Sequence, residues 1–272
     1  ECLDGTRFLD WPSNSNKDAI AAGLQALMVW GMRVGVEFAE LFEDRQLSND
    51  CKAAEKKLVK AASKVYKKFL ASCPAPDAPG SKQVTALMTI TGLIDAPKAD
   101  KEFLSINGAQ GFSTFYGYYM LEAMAMAGNY QGALDVIREY WGAMIDLGAT
   151  SFWEDFDINW IPNAAPIDEL VPEGKKDIHG DCGAYCYVGF RHSLCHGWAS
   201  GPTSWLSRHI LGVEVIEPGC RQVRITPHLG DLQWVKGTFP TPYGELQIYH
   251  EKQANGNVIS EVKAPKGVSV IK

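Results

Sequence analysis

The chain changes character at one stretch, Gly148-Ala149-Thr150-Ser151-Phe152-Trp153-Glu154-Asp155-Phe156-Asp157. A long amphipathic helical pattern ends at Gly148, because a residue without a Cβ readily adopts the left-handed conformation that follows a last helical turn. Three carboxylates and three large aromatic rings come next, and an acid beside an apolar wall can have a raised pKa or a directed lone pair. We expect a functional loop with Glu154 as a catalytic carboxylate, while a solvated acidic loop with inward-packed rings fits the same residues.

The residues before this stretch predict helices joined by short turns. Apolar residues recur at helical spacing, and Asp18 is a suitable cap for the first helix. A short extended segment is predicted at 8–12. Helices are predicted at 18–43, 49–70, 83–94, 112–127, 130–146 and, after the stretch, at 202–211. Such pairs with short connections predict an array of antiparallel hairpins, such as part of an α/α barrel.

The pattern after residue 212 has period two. Alternating apolar and polar residues predict strands at 222–226, 232–239, 244–250, 258–262 and 268–271. Asn255-Gly256 between two of them is a strong hairpin signal. The fold class predicted is mainly α with an all-β C-terminal domain, divided into residues 1–212 and residues 213–272.

Composition excludes several classes of protein. The 272 residues carry a net charge of -6, which argues against a nucleic-acid partner and favours a neutral or polar small ligand. No apolar run reaches the roughly 18 residues of a membrane span. The N-terminus also lacks the charged, apolar and small-residue segments that follow one another in a signal peptide. Because the chain starts at Glu1 without Met, we expect it to be a piece of a longer polypeptide.

A second polar cluster, residues 177–198, contains cysteines and histidines but does not form a metal-binding pattern. Cys182 and Cys186 are followed by no second cysteine pair, and Cys195 and His196 are adjacent, so we expect no zinc site. A thiol dyad of Cys195 with His196 is disfavoured because such dyads combine distant segments. His196 could equally be a hydrogen-bonded core histidine. Seven cysteines, an odd number, also argue against a disulfide scaffold.

Several segments together resemble one enzyme family. They are Gly-Ala-Thr-Ser-Phe-Trp-Glu at 148–154, Ser-Leu-Cys-His-Gly-Trp at 193–198, Trp205-Leu206, Leu-Gly-Val at 211–213 and Thr-Pro-Tyr-Gly at 241–244. In this order they resemble the C-terminal half of α-L-rhamnosidases of glycoside hydrolase family 78, over nearly the whole chain. The resemblance implies part of an (α/α)6 barrel followed by a C-terminal antiparallel β-sandwich. It also implies hydrolysis of terminal α-L-rhamnosyl residues with inversion, without metal or organic cofactor.

The resemblance also assigns roles to individual residues. Glu154 matches the general base that activates water, and His196 matches the histidine that hydrogen-bonds the rhamnose hydroxyls. Trp11, in Phe-Leu-Asp-Trp, matches an aromatic wall of the sugar subsite, although packing in the core is an alternative for a lone tryptophan. Trp153 and Trp198 either line the pocket or hold the loop.

Other features depart from the family pattern. The family's general acid is a Glu in an acidic, tryptophan-containing motif upstream, and this chain has no such motif, so the upstream part of the same polypeptide is an expected partner. Asp155-Phe156 replaces the usual residues after Trp-Glu, and the long span at 157–192 suggests an inserted loop. Two alternatives stay open: another α/α-barrel exo-glycosidase, and a non-catalytic carbohydrate-binding or scaffold protein of the same fold.

Overall fold

The structure is a computed structural model that describes residues 7–73, 75–182 and 191–271. Helices fill the first two thirds and strands fill the last part, as predicted. The α-helices are α1 (Lys17–Leu41), α2 (Arg45–Ser72), α3 (Ser81–Ile90), α4 (Ala96–Ala99), α5 (Gly117–Met126), α6 (Tyr130–Asp146) and α7 (Gly201–Trp205). Wider π-type turns continue α4 over Asp100–Leu104 and α7 over Leu206–Ile210.

The first two helices form a hairpin that packs on α3. The N-cap of α1 is Asn16, whose side chain accepts a hydrogen bond from the Ala19 N–H, so the prediction of Asp18 as the cap was wrong. Asp18 lies inside the first turn, where its carboxylate pairs with Lys68 of α2 at 2.7 Å. An Asn side chain caps as well as an Asp, and here it comes two residues earlier.

Helix α1 is long and apolar enough, by length and composition alone, to cross a membrane. The expectation of no such segment considered only unbroken apolar runs, and α1 contains Arg33 and Glu37. Arg33 pairs with Glu55 of α2 at 2.7 Å and donates to the carbonyl oxygen of Thr91 after α3. Arg33 thus ties α1 to α2 and to the end of α3, and 33% of the most apolar window of α1 is buried within the described residues.

Two segments differ from their predicted helices or strands. The helix predicted at 112–127 begins only at Gly117, because residues 112–116 form turns in which Ser113 and Thr114 bond to other parts of the chain. The segment around Trp11 was predicted to be extended, but Trp11–Ser13 is a single 3-10 turn. In both places polar side chains satisfy partners that periodicity does not reveal.

The last part of the chain contains two three-stranded sheets that face each other. The strands are β3 (Val213–Val215), β4 (Gln222–Ile225), β5 (Trp234–Thr241), β6 (Gly244–Lys252), β7 (Val258–Lys263) and β8 (Ser269–Ile271), after a short pair β1 (Ala164–Ala165) and β2 (Lys176–Asp177). One sheet has the order β3-β4-β8 and the other β5-β6-β7. All pairings in them are antiparallel except β4 with β8.

Alternate residues of both sheets form one apolar core, with Val223, Leu246 and Ile248 almost completely buried. The period-two pattern predicted a β domain here, and its two packed sheets form the β-sandwich that the family resemblance implies. The predicted hairpin at Asn255-Gly256 connects β6 to β7, with Gly256 at φ 85°.

Candidate active site

The loop after α6 buries the rings of Trp153 and Phe156 and leaves the Glu154 side chain partly exposed. Gly148 has φ 89°, and the Ala149 N–H bonds back to the Met144 carbonyl, which ends the helix as predicted. Trp153 and Phe156 are buried in the helical core, and the Tyr140 hydroxyl donates to the Phe156 carbonyl. The Glu154 side chain, between these two anchors, is left 17% exposed.

A second segment, residues 192–196, lies beside the loop and fixes Glu154. The Glu154 N–H donates to the Ser193 carbonyl at 2.8 Å, and the Ser193 N–H donates to Oε2 of Glu154 at 3.1 Å. The His196 N–H donates to the Phe152 carbonyl at 2.7 Å. As a result, Nδ1 of His196 lies 3.9 Å from Oε2 of Glu154, although the residues are about forty positions apart. The two polar residues that the resemblance singled out therefore share one site.

The buried ring of His192 is hydrogen-bonded to the backbone of the same loop. Its Nε2 accepts the Asp155 N–H at 3.1 Å, so its Nδ1 is the donor to the Ile178 carbonyl, also at 3.1 Å. The ring is buried against Trp153 and Trp160, and burial lowers the pKa of His192. A neutral histidine with this tautomer satisfies both backbone groups. Sequence analysis gave His192 no role, since both of its partners are distant in sequence.

The backbone carbonyl of Glu154 is held by two further donors. The indole Nε1 of Trp198 donates to it at 2.7 Å, and the buried Thr114 hydroxyl donates at 2.6 Å. The Trp198 ring is 37% exposed, lies 4.4 Å from the His196 ring and 5.8 Å from Phe115. Trp198 therefore both holds the loop and presents an aromatic surface beside the acid. The aromatic and hydroxyl residues at 113–119 could have indicated their contribution, but their pattern was interpreted as helix.

Trp11 is connected to this site through its neighbour Asp10. The buried carboxylate of Asp10 accepts hydrogen bonds from Ser113 at 2.6 Å and from Gln83 at 3.1 Å. Ser113 is adjacent to Thr114, which donates to the Glu154 carbonyl, so a chain of bonds joins the Trp11 turn to the Glu154 loop. The half-buried Trp11 ring packs against Phe8, with ring centres 4.8 Å apart.

Trp153 lies away from solvent, with no exposed surface. Its ring contacts Phe156 and His192, and among the described residues its Nε1 has no hydrogen-bond partner. Of the two interpretations made from sequence, pocket lining and loop support, the position of this ring favours loop support.

The carboxyl next to Glu154 is electrostatically unusual. Burial raises the pKa of Asp155 to about 7, and the nearby carboxylates of Asp10, Asp157 and Glu154 act in the same direction. The Phe156 N–H, at 2.9 Å, opposes part of this shift. Burial also raises the pKa of Asp10. The site thus combines the partly exposed side chain of Glu154 with a neighbouring carboxyl whose pKa is raised to about 7.

No cluster of three or more His, Cys, Asp or Glu side chains suited to a metal is found in residues 7–73, 75–182 and 191–271. Cys186, one member of the zinc pattern considered above, lies outside the described residues. Cys195 is exposed beside Ser151, whose hydroxyl lies 3.5 Å from its sulfur.

Comparison with known proteins gives one matching domain and several similar folds. Residues 212–271 match the family model described as bacterial alpha-L-rhamnosidase C-terminal domain. No curated protein matches the sequence.

Similar folds occur in solved rhamnosidase structures. The GH78 family rhamnosidase of Bacillus sp. GL1 is 23% identical, with a TM-score of 0.65 over 89% of this chain and 25% of that chain. The α-L-rhamnosidase of Aspergillus terreus is 17% identical, with a TM-score of 0.67 over 90% of this chain and 27% of that chain. The Streptomyces avermitilis α-L-rhamnosidase, complexed with L-rhamnose, is 16% identical, with a TM-score of 0.67 over 99% of this chain and 24% of that chain.

The chain therefore spans about a quarter of the length of these proteins. The resemblance to α-L-rhamnosidases of glycoside hydrolase family 78 is confirmed: residues 212–271 match the bacterial alpha-L-rhamnosidase C-terminal domain, and the fold is similar to a part of the solved rhamnosidase structures.

Proposed function

We propose that the complete polypeptide releases terminal α-L-rhamnose from rhamnosides by an inverting single displacement, with Glu154 as the general base. The family match in the β region and the rhamnosidase-like fold support this proposal. We further propose that residues 1–212 belong to the catalytic (α/α)6 barrel and residues 213–272 form the C-terminal β-sandwich domain. A rhamnose-containing glycan or glycoside is then the substrate.

The observation that carries the proposal is the way Glu154 is held. One carboxylate oxygen, Oε2, accepts the Ser193 N–H, while the other, Oε1, accepts no hydrogen bond from the residues that the structure describes. The side chain is neither fully buried nor freely mobile. A general base needs a fixed lone pair within reach of water, and this arrangement supplies one.

The neighbouring residues fit sugar binding in this proposal. His196 lies beside Glu154 and can exchange hydrogen bonds with sugar hydroxyls, and the exposed ring of Trp198 suits the C–H surface of a pyranose. Trp11 contributes a further aromatic wall. Trp153 acts as a positioning residue, because its buried ring packs beneath the loop that carries Glu154.

The mechanism requires a second carboxyl group. In an inverting glycosidase a carboxylic acid protonates the glycosidic oxygen while the base deprotonates a water on the opposite face, the two groups standing roughly 6.5–9.5 Å apart. We place the acid in the upstream part of the same polypeptide. In our scheme the bond from C1 to the leaving oxygen breaks as the water oxygen bonds to C1, and Glu154 takes the water proton.

The test is a Glu154→Gln exchange in the complete protein, assayed on an aryl α-L-rhamnoside. Gln keeps the shape and an acceptor for Ser193 but cannot take a proton, so kcat is expected to fall about 10²-fold or more. Glu169→Gln, at an exposed position of the following loop, is the matched control and should be silent. Proton NMR of the first product should show β-L-rhamnose.

Each alternative predicts a different result. Activity of the Glu154 variant within a few-fold of wild type would remove this residue from the role of base. Cleavage of another aryl glycoside, without rhamnoside activity, would indicate a different exo-glycosidase. Binding of sugars without any hydrolysis would favour the non-catalytic carbohydrate-binding protein.

A further inference from the structure

The outer face of the β5-β6-β7 sheet carries a pair of stacked aromatic rings, of which Trp234 is exposed and Tyr249 is half-buried. Alternate residues of these strands, including Phe239, Leu246 and Ile248, point into the sandwich core, and their neighbours point outward. Trp234 of β5 is 60% exposed, and its ring is stacked with that of Tyr249 on β6, at 6.5 Å between centres and 29° between planes. Two such rings form a continuous platform that leaves apolar surface in water, and an exposed patch of this kind typically marks a binding site.

Polar side chains surround the platform on all three strands. Lys236 and Glu261 are the cross-strand neighbours of Tyr249, one on each side. The next row across the sheet is Thr238, Gln247 and Lys263. Directly paired side chains on a sheet lie about 4.5–5.5 Å apart at Cβ, so these groups border the rings. Together with the rings they line a shallow depression of about 830 Å³.

The chemistry of this face restricts its partner. Two lysines are accompanied by the carboxylates of Glu261 and Glu251, so the face lacks the basic excess that a nucleic acid requires. An amphipathic helix needs a continuous apolar groove, whereas polar groups interrupt this surface in every row. Hydrogen-bond donors and acceptors around flat rings match a ligand with many hydroxyls and one apolar face. A neutral oligosaccharide has these properties.

We propose that this face, which we call the Trp234 platform, is a non-catalytic binding surface for neutral oligosaccharides. The platform shares no residue with the Glu154 loop. It lies on the β5-β6-β7 sheet, on the side opposite the apolar core of the β-sandwich. The inference goes beyond hydrolysis, because a protein that failed to cleave rhamnosides would still bind sugar through these rings. Its role would be to keep the protein attached to a polysaccharide while terminal residues are processed.

The test uses the complete polypeptide in affinity electrophoresis, with soluble neutral polysaccharides, a rhamnan, a xylan and a galactomannan, cast separately into native gels. We expect retardation by at least one polymer. Trp234→Ala and Tyr249→Ala should each raise the dissociation constant about tenfold or more, as loss of an aromatic anchor typically does. Tyr243→Ala, at an exposed aromatic in the turn before β6, is the matched control and should retain binding. Hydrolysis of a small aryl rhamnoside should be unchanged in all three.

Three outcomes would overturn the proposal. The first is that none of the polymers retards the wild-type protein. The second is equal retardation of wild type and of both platform variants, with unchanged circular dichroism. The third concerns access: if mass mapping after N-bromosuccinimide treatment finds Trp234 protected in the unliganded protein, another segment of the polypeptide or a second copy covers the face.

Discussion

Replacing Asp155 by Asn should change how stability depends on pH. The pKa of Asp155 is about 7 in the folded protein, against an ordinary value of 3.8, so the folded protein binds this proton more tightly than the unfolded chain does. The resulting stabilisation is fully present below pH 4 and is lost as pH rises through 7. This difference of about three in pKa corresponds to at most about 4 kcal/mol in the free energy of unfolding. About 3 kcal/mol of that contribution is lost between pH 5 and pH 8.

Asn at this position keeps the acceptor for the Phe156 N–H and removes the ionisation. The free energy of unfolding of the complete protein would be measured in urea at pH 5 and pH 8, for wild type and Asp155→Asn. Comparing the two proteins at each pH cancels the other titrating groups. The variant should gain up to about 3 kcal/mol relative to wild type at the higher pH.

Glu169→Gln, which neutralises an exposed carboxylate instead, should show no comparable gain. If the difference between Asp155→Asn and wild type is the same at both pH values, burial does not perturb Asp155 and the electrostatic description of the site is wrong.

Two further changes address how the site and the β region are held. His192→Ala leaves the Asp155 N–H and the Ile178 carbonyl without their partner, so the free energy of unfolding, measured in urea, should fall by about 2–5 kcal/mol. We also expect at least a tenfold fall in kcat for rhamnoside turnover. An unchanged kcat in a folded variant would show that these hydrogen bonds do not position the loop. Gly212→Ala places a Cβ against the Thr226 backbone at a residue with φ 71°, so the midpoint of thermal unfolding should fall by several degrees, and an unchanged midpoint would contradict the close approach seen here.

The secondary structure was largely predictable where local signals agree. Helix α6 matches its prediction at both ends because Asn129 caps it and Gly148 follows its last turn, and both signals directly flank the helix in the sequence. The helical segment from Ala96 to Leu104 was missed, since it is short and changes from α-type to π-type turns at Asp100. Periodicity detects long regular elements, and a brief irregular one leaves no repeating pattern.

The site was less accessible to sequence analysis. The proximity of Glu154 and His196 followed from resemblance to a family and not from any spacing rule, because pairing between distant segments decides it. The clamp on the Glu154 carbonyl, formed by Thr114 and Trp198, was missed because both donors act on a backbone atom and the residues at 113–119 were interpreted as helix. Backbone acceptors carry no residue identity, so no motif can encode such contacts.

That clamp has a consequence for protein engineering. The N–H and the carbonyl of Glu154 are bonded to Ser193, Thr114 and Trp198, so the main chain at this position is held independently of its side chain. Smaller or uncharged residues can therefore be placed at position 154 without rebuilding the loop. Under the proposed function, a catalyst redesigned to join sugars instead of hydrolysing them would start from such an exchange, with the surrounding side chains left intact.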